Sequence, residues 1–202
     1  MKYVKILLLF LVVNINILFS TFNLDTGKEL INLKKYYNNQ DIIGKLIIEN
    51  TNIEEIIVQS NNNEYYNNHN LYKKEDIKGN IFLDYRTNLN SYQINIYGHN
   101  SNIYDVPFNE LKKYLDKDYY EKHKYIRIFD GYNTYKYLIF SVNIRDDNEH
   151  LKIIKSEKHL EKLKQSMYKT NVDVNINDKL LIIQTCYLDK NDSYIIICAK
   201  KI

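Results

Sequence analysis

Apolar residues are distributed differently in successive parts of this chain, and each pattern predicts a different kind of element. Positions 6 to 22 form one nearly continuous apolar run, interrupted only by Asn14, Asn16, Ser20 and Thr21. Beyond it, Leu30, Leu33 and Tyr37 recur at i, i+3 and i+7, the spacing of one helix face, and Asp25 or Thr26 is suited to cap a helix running through Tyr37. After Gly44 the signal becomes short β-rich runs: Leu46 to Ile48, Ile53 to Val58, Ile81 to Asp84, Tyr92 to Tyr97, Tyr125 to Phe129, Tyr135 to Ile144, Val174 to Thr185 and Tyr194 to Lys200. Eight short strands predict a closed barrel or a sandwich. Two helical inserts interrupt them. One starts near Pro107, a residue suited to a first helical turn, and runs to about Tyr120. The other spans Ser156 to Tyr168, with Leu160, Leu163 and Met167 on one face. No internal repeat is evident, and Asn-rich stretches such as Ser60 to Asn63 read as loops.

Composition changes this picture little. A length of 202 residues fits one domain. The abundance of Tyr, Asn, Ile and Lys, with one Pro and no Trp, is more simply a codon-usage effect of an AT-rich genome than a sign of disorder, and 20 Tyr with 7 Phe supply ample core material. The formal charge is +3, of which Lys2 and Lys5 contribute two units before the first acid, Asp25. The nearly neutral remainder argues against nucleic acid as a partner.

Lys2 and Lys5 ahead of the apolar run make an export signal whose positive flank should stay in the cytoplasm. About 17 residues of helix reach roughly 25 Å, short of a hydrocarbon core of about 30 Å. No small-x-small cleavage site follows, since Leu18 stands where the minus-three residue of a site at Ser20 would be. An uncleaved membrane anchor is therefore expected.

Candidate chemistry centres on two residues. Leu180 to Cys186 reads LLIIQTC and ends an apolar strand on one of only two cysteines, while Ile94 to His99 reads INIYGH and ends another strand on a histidine. A thiol and an imidazole at strand ends are what is needed to make and use a thiolate nucleophile. A thiol with an ordinary pKa near 8.5 is mostly protonated at pH 7, so a base or cation must raise its thiolate fraction. The bland alternative for both is a packing role. His123 precedes a strand and reads as a packing residue, and His69, His150 and His159 lie in polar surroundings and read as solvated. If the last two strands form a hairpin with Cys186 opposite Tyr194, Cys198 falls near Ile182, about 13 Å from Cys186, too far for a disulfide. Cys198 then reads as a small core residue.

The words around the pair are more specific. GNIFLDYRTN from Gly79, INIYGHN from Ile94, FNELKKYLDKDYYEKHKYIRIF from Phe108, YKYLIFSV from Tyr135, DKLLIIQTC from Asp178 and YIIICAK from Tyr194 follow one another in the order seen in class B sortases, cysteine transpeptidases of Gram-positive bacteria. DIIGKLIIENTNIEEIIVQ from Asp41 and NNNEYYNNHN from Asn61 are similar to that family's opening strands and its N-x-Y-Y-x-x-H segment. The resemblance covers Asp41 to Ile202. It implies a mainly β, sortase-like eight-stranded barrel with an N-terminal helix and helical inserts, divided into an anchor at 1–22, a helical linker at 23–40 and a catalytic domain at 41–202. By the same resemblance, Cys186 attacks the threonine carbonyl of a C-terminal sorting signal on a surface protein or pilin. An amine of peptidoglycan or of another protein then resolves the thioester, and His99 protonates the departing amine. Gln184 and Thr185 are the substrate-contacting positions beside the thiol. Met167 and Tyr168 belong to the insert that walls the peptide groove in the family, although a helix that simply covers the barrel accounts for them equally. Neither a metal nor an organic cofactor is implied. The family is also expected to be single-pass, with the catalytic domain outside the cell membrane.

The chain departs from the family at two positions. An arginine is expected just before the final strand, where its guanidinium holds the substrate backbone and the developing oxyanion; here Tyr194 occupies that place. Gln184 stands where the family commonly has serine. The three arginines, Arg86, Arg127 and Arg145, lie in other words of the pattern. A phenol offers one donor where guanidinium offers five and a fixed charge. Two readings stay open: a working transpeptidase in which Tyr194 or a cation from elsewhere partly replaces the arginine, and a catalytically weak or inactive fold that binds sorting peptides. A secreted cysteine protease is a third and weaker reading.

Overall fold

A computed structural model describes residues 27–146, 152 and 156–202. Helix α1 covers 27–37. The strands are β1 Ile42–Ile48, β2 Glu54–Val58, β3 Phe82–Leu83, β4 Gln93–Tyr97, β5 Tyr125–Phe129, β6 Thr134–Arg145, β7 Leu180–Cys186 and β8 Tyr194–Lys201. They close into a barrel, one of the two arrangements the strand pattern allowed and the one the resemblance implied, in the order β1-β2-β3-β4-β7-β8-β6-β5.

Alternation along each strand divides the apolar residues between the barrel interior and two outer clusters. Leu181 and Ile183 of β7, Ile94 and Ile96 of β4 and Ile195 and Ile197 of β8 fill the interior. Leu180, Ile182, Ile196 and Cys198 point the other way and pack under Leu160 and Leu163 of α3, Glu157–Lys164. Phe82 and Tyr97 also point outward, into a second outer cluster with Ile42, Val58 and Tyr66, against which Leu30, Leu33 and Tyr37 of α1 pack. The helical stripe read from the sequence is thus a packing face. Because both faces are covered, β4 is buried along its whole length.

Several boundaries moved, each for a local reason. The insert expected as one helix from Pro107 is a 3₁₀ segment, Pro107–Leu115, followed by α2, Lys117–Lys122. Asp116 separates them: its backbone is extended and its carboxylate accepts from the amides of Asp118 and Tyr119, the usual N-cap arrangement. Helix α3 ends at Lys164 instead of Tyr168, because the next residues are drawn onto β6. Ser141 Oγ donates to the Gln165 carbonyl at 2.7 Å, and the Met167 amide donates to the Val142 carbonyl at 2.8 Å. Strand β7 begins at Leu180 and not Val174, since Asn175 to Asp178 form a turn in which Asp178 accepts from the Asn175 amide at 3.0 Å. Strand β1 starts earlier than expected, at Ile42, passing a register shift at Gly44.

The expectation of a single-pass membrane protein with an external catalytic domain is overturned: among the described residues, no helix is long and apolar enough to cross a membrane. The apolar segment behind that expectation, the proposed caps Asp25 and Thr26, and His150 lie outside the described residues.

Candidate active site

Strands β4 and β7 run parallel, with Tyr97 opposite Gln184. Continuing that register by two residues sets His99 beside Cys186, one strand spacing away, or about 4.8 Å between backbones. Three hydrogen bonds carry the pairing past the end of β4. The Gly98 amide donates to the Gln184 carbonyl at 3.3 Å, Thr185 Oγ1 donates to the Gly98 carbonyl at 2.8 Å, and Asn100 Nδ2 donates to the Cys186 carbonyl at 2.9 Å. Gly98 is required by packing: a Cβ there would lie 2.6 Å from the Phe108 ring. The thiol and the imidazole are therefore brought together by the strand ends themselves.

Parity also fixes the face. Cys186 and Gln184 share the outward side of β7 with Ile182, and Tyr194, the cross-strand partner of Cys186, shares the outward side of β8 with Ile196. The site consequently lies on the outer surface of the barrel. There a cavity of about 440 Å³ is lined by Cys186, His99, Gln184, Thr185 and Tyr194, together with Asn63, Asn67, Arg86 and Tyr97. That is a usual size for a ligand cleft.

Cys186 is exposed to this cavity and unbonded, while Cys198 is buried opposite Ile182, as the hairpin register required. The protein around Cys186 still excludes enough water to push its thiol up from the ordinary value, so at neutral pH it rests protonated and needs a base. His99 is half-buried, and its Nε2 lies 2.6 Å from the Asn67 carbonyl. A carbonyl only accepts, so Nε2 carries a proton, and in the neutral ring Nδ1 holds the lone pair.

Of the other residues read from sequence, Gln184, Thr185 and Tyr194 line the cavity, but Met167 and Tyr168 do not. Met167 is exposed elsewhere. Tyr168 stacks on Tyr120 at 5.7 Å and donates to the Tyr114 carbonyl at 3.3 Å. His123 packs on Tyr119 at 4.1 Å, as a packing residue would. His69, expected to be solvated, instead stacks on Tyr65 at 4.0 Å. Among the described residues, no cluster of three His, Cys, Asp or Glu side chains is placed to hold a metal ion.

The sequence reading passed over Arg86. Its Nε and Nη2 grip the Asp84 carboxylate at 2.9 and 2.6 Å, and Tyr97 Oη donates to the same carboxylate at 2.7 Å. Burial raises the Asp84 pKa, but the guanidinium, the Arg86 amide and the Tyr97 hydroxyl outweigh it and leave it at about 2. The D-x-R spacing was a readable signal for the ion pair alone, since an Asp that opens a turn accepts from the amide two residues on, here Arg86 N at 2.9 Å, and so lies beside that residue's side chain.

No family model matches the chain. Sortase B of Listeria monocytogenes is 36% identical over 179 residues, covering 84% of this chain and 71% of that protein. The X-ray structure of Clostridium perfringens sortase B superposes with a TM-score of 0.77 at 31% identity, over 85% of this chain and 98% of that one. A Staphylococcus aureus sortase B–substrate complex gives a TM-score of 0.77 at 25% identity, over 93% and 94% of the two chains. Identity of that extent, spread over most of both chains and accompanied by the same barrel, makes this chain a member of the class B sortases, a family of cysteine transpeptidases.

Proposed function

We propose that the chain cleaves a C-terminal sorting signal and transfers the acyl group to an amine, with Cys186 as nucleophile and His99 as the proton carrier. The observation that carries this reading is the alignment of His99 and Cys186 at the ends of two parallel strands, opening into one cavity. In the first half-reaction His99 takes the thiol proton as sulfur attacks the scissile carbonyl. The tetrahedral intermediate then expels the C-terminal fragment as an amine, to which His99 returns the proton, leaving a thioester on Cys186. In the second half an acceptor amine, of peptidoglycan or of a pilin, attacks the thioester. Sulfur departs, an amide forms, and the amine's proton passes through His99 back to Cys186. The bond to the Asn67 carbonyl holds the ring in one tautomer and orientation throughout. Tyr194, adjacent to Cys186 on β8, is the neighbouring donor for the developing oxyanion, and Gln184 and Thr185 shape the cleft beside the thiol.

A second reading, a peptide-binding module without turnover, is supported by Tyr194 standing where the resemblance implies an arginine. Incubating the full-length chain with sorting peptides and an amine such as triglycine separates the two. The first reading expects an amine-dependent ligation product that Cys186→Ala abolishes, that His99→Ala lowers by about 10² to 10⁴, and that Cys198→Ala leaves intact. Peptide binding without any product would favour the second.

A further inference from the structure

The cavity contains a thiol, an imidazole, amides and phenols, and one side chain of fixed charge, Arg86. That guanidinium is firmly placed. Asp84 is buried at 1% exposure while the Arg86 side chain is 45% exposed, so the ion pair has an inner, closed end and an outer end at the cavity. The segment carrying it is pinned from β2's side, where Gln59 Nε2 donates to the carbonyls of Asp84 at 2.8 Å and Thr87 at 2.7 Å. Tyr97, which bonds the same carboxylate, is the register partner of Gln184 on β7, two residues before the nucleophile. Arg86 is thus tied, through Asp84 and Tyr97, to the strand that presents Cys186.

We propose that Arg86 is a substrate-binding residue, its guanidinium hydrogen-bonding backbone carbonyls of the acyl-donor peptide from the loop after β3. This rests on the transpeptidase reading of the same cleft. Charge decides the class of ligand: the Asp84 carboxylate already balances Arg86, so the pair as a whole is neutral and matches the neutral dipoles of a peptide backbone better than an acidic side chain. Position decides its part in the reaction. It grips the peptide at the cavity wall, and its loss should be felt in binding more than in the bond-making step.

The test measures binding of sorting peptides, with and without acidic residues, to the full-length Cys186→Ala chain by fluorescence polarisation. Arg86→Gln should weaken binding of uncharged peptides by about ten- to a hundred-fold, the range for a charged hydrogen bond. Arg86→Lys should fall between, because an ammonium lacks the planar fork. Since Arg86→Gln leaves Asp84 without its partner, the double variant Asp84→Asn/Arg86→Gln serves as control and should bind as weakly. Recovery of wild-type affinity in the double variant would overturn the proposal, as would unchanged affinity in Arg86→Gln, a loss confined to acidic peptides, or no binding by any peptide to the Arg86-bearing chain. With Cys186 intact, Arg86-dependent binding without thioester formation would remove the transpeptidase reading and leave this one standing. Thioester formation that is indifferent to Arg86 would do the reverse.

Discussion

Tyr194 and Cys186 face each other across β7 and β8, so the residue standing where the resemblance implies an arginine lies next to the proposed nucleophile. A preorganised oxyanion donor is worth roughly 2.7 to 4 kcal/mol of barrier, about 10² to 10³ in rate. A neutral phenol supplies part of that. Acylation by the wild type should therefore be slow, Tyr194→Arg faster and Tyr194→Phe slower still, measured as single-turnover rates. If the Phe and Tyr enzymes acylate equally and Arg brings no gain, Tyr194 is not at the reacting carbonyl. Asp84 gives a separate prediction at this scale. Its carboxyl titrates at about 2 when folded, below its unfolded value, so its stabilisation is present above roughly pH 4 and is lost as pH falls toward 2. The shift corresponds to about 2 kcal/mol. Asp84→Asn should be less stable than wild type by about that amount at pH 7, with denaturation midpoints converging at low pH; a difference that persists at pH 2 would contradict the account. Cys186 and His99 were legible as residues because each ends a strand inside a distinctive word. Arg86 was not, because its relation to the thiol depends on β3, β4 and β7 being neighbours, an order that no local pattern encodes.

At the scale of elements, the site depends on how β7 is fastened to the end of β4. Thr185 is buried, and its hydroxyl donates to the Gly98 carbonyl, so the bond joins the residues just before Cys186 and His99. Thr185→Val keeps the shape and removes that bond. We expect a stability loss of about 1 kcal/mol and a fall in acylation rate larger than any change in peptide affinity, because the mutation shifts Cys186 relative to His99 and leaves the peptide-binding wall in place. Thermal melts and acylation rates measured under fully folding conditions check this, and an unchanged rate would show that the strand pairing alone sets the geometry. Strand existence was readable from β-rich runs, and β5 appears with the bounds the pattern predicts. Helix ends were less readable. An i, i+3, i+7 stripe continues through Met167, yet hydrogen bonds to Ser141 and Val142 of β6 end α3 three residues earlier. Tertiary partners override periodicity there, and Tyr168 packs half-buried against the core, outside the lining of the cleft.

Across the whole molecule, the barrel's two outer clusters explain why the cleft sits where it does. The clusters under α1 and α3 cover Phe82 and Tyr97 on one side and Leu180 and Ile182 on the other, and the cleft opens toward the C-terminal ends of β4 and β7, where Tyr97, His99, Gln184 and Cys186 line it. A barrel filled by Ile, Leu and Tyr holds those ends in register, and the chemistry needs little else from the fold. The eight strands were legible from their β-rich runs, which fitted a barrel or a sandwich, and closure was implied by the resemblance; the order β4-β7-β8-β6 joins distant segments and is seen only in the folded barrel. The most direct test of the central claim is the intact mass of the full-length chain after incubation with a panel of sorting peptides and no amine. A covalent adduct equal to the peptide's N-terminal fragment, present in wild type and Cys198→Ala, absent in Cys186→Ala and released by hydroxylamine, is the result this account predicts. No adduct with any peptide, or an adduct that survives Cys186→Ala, would contradict it.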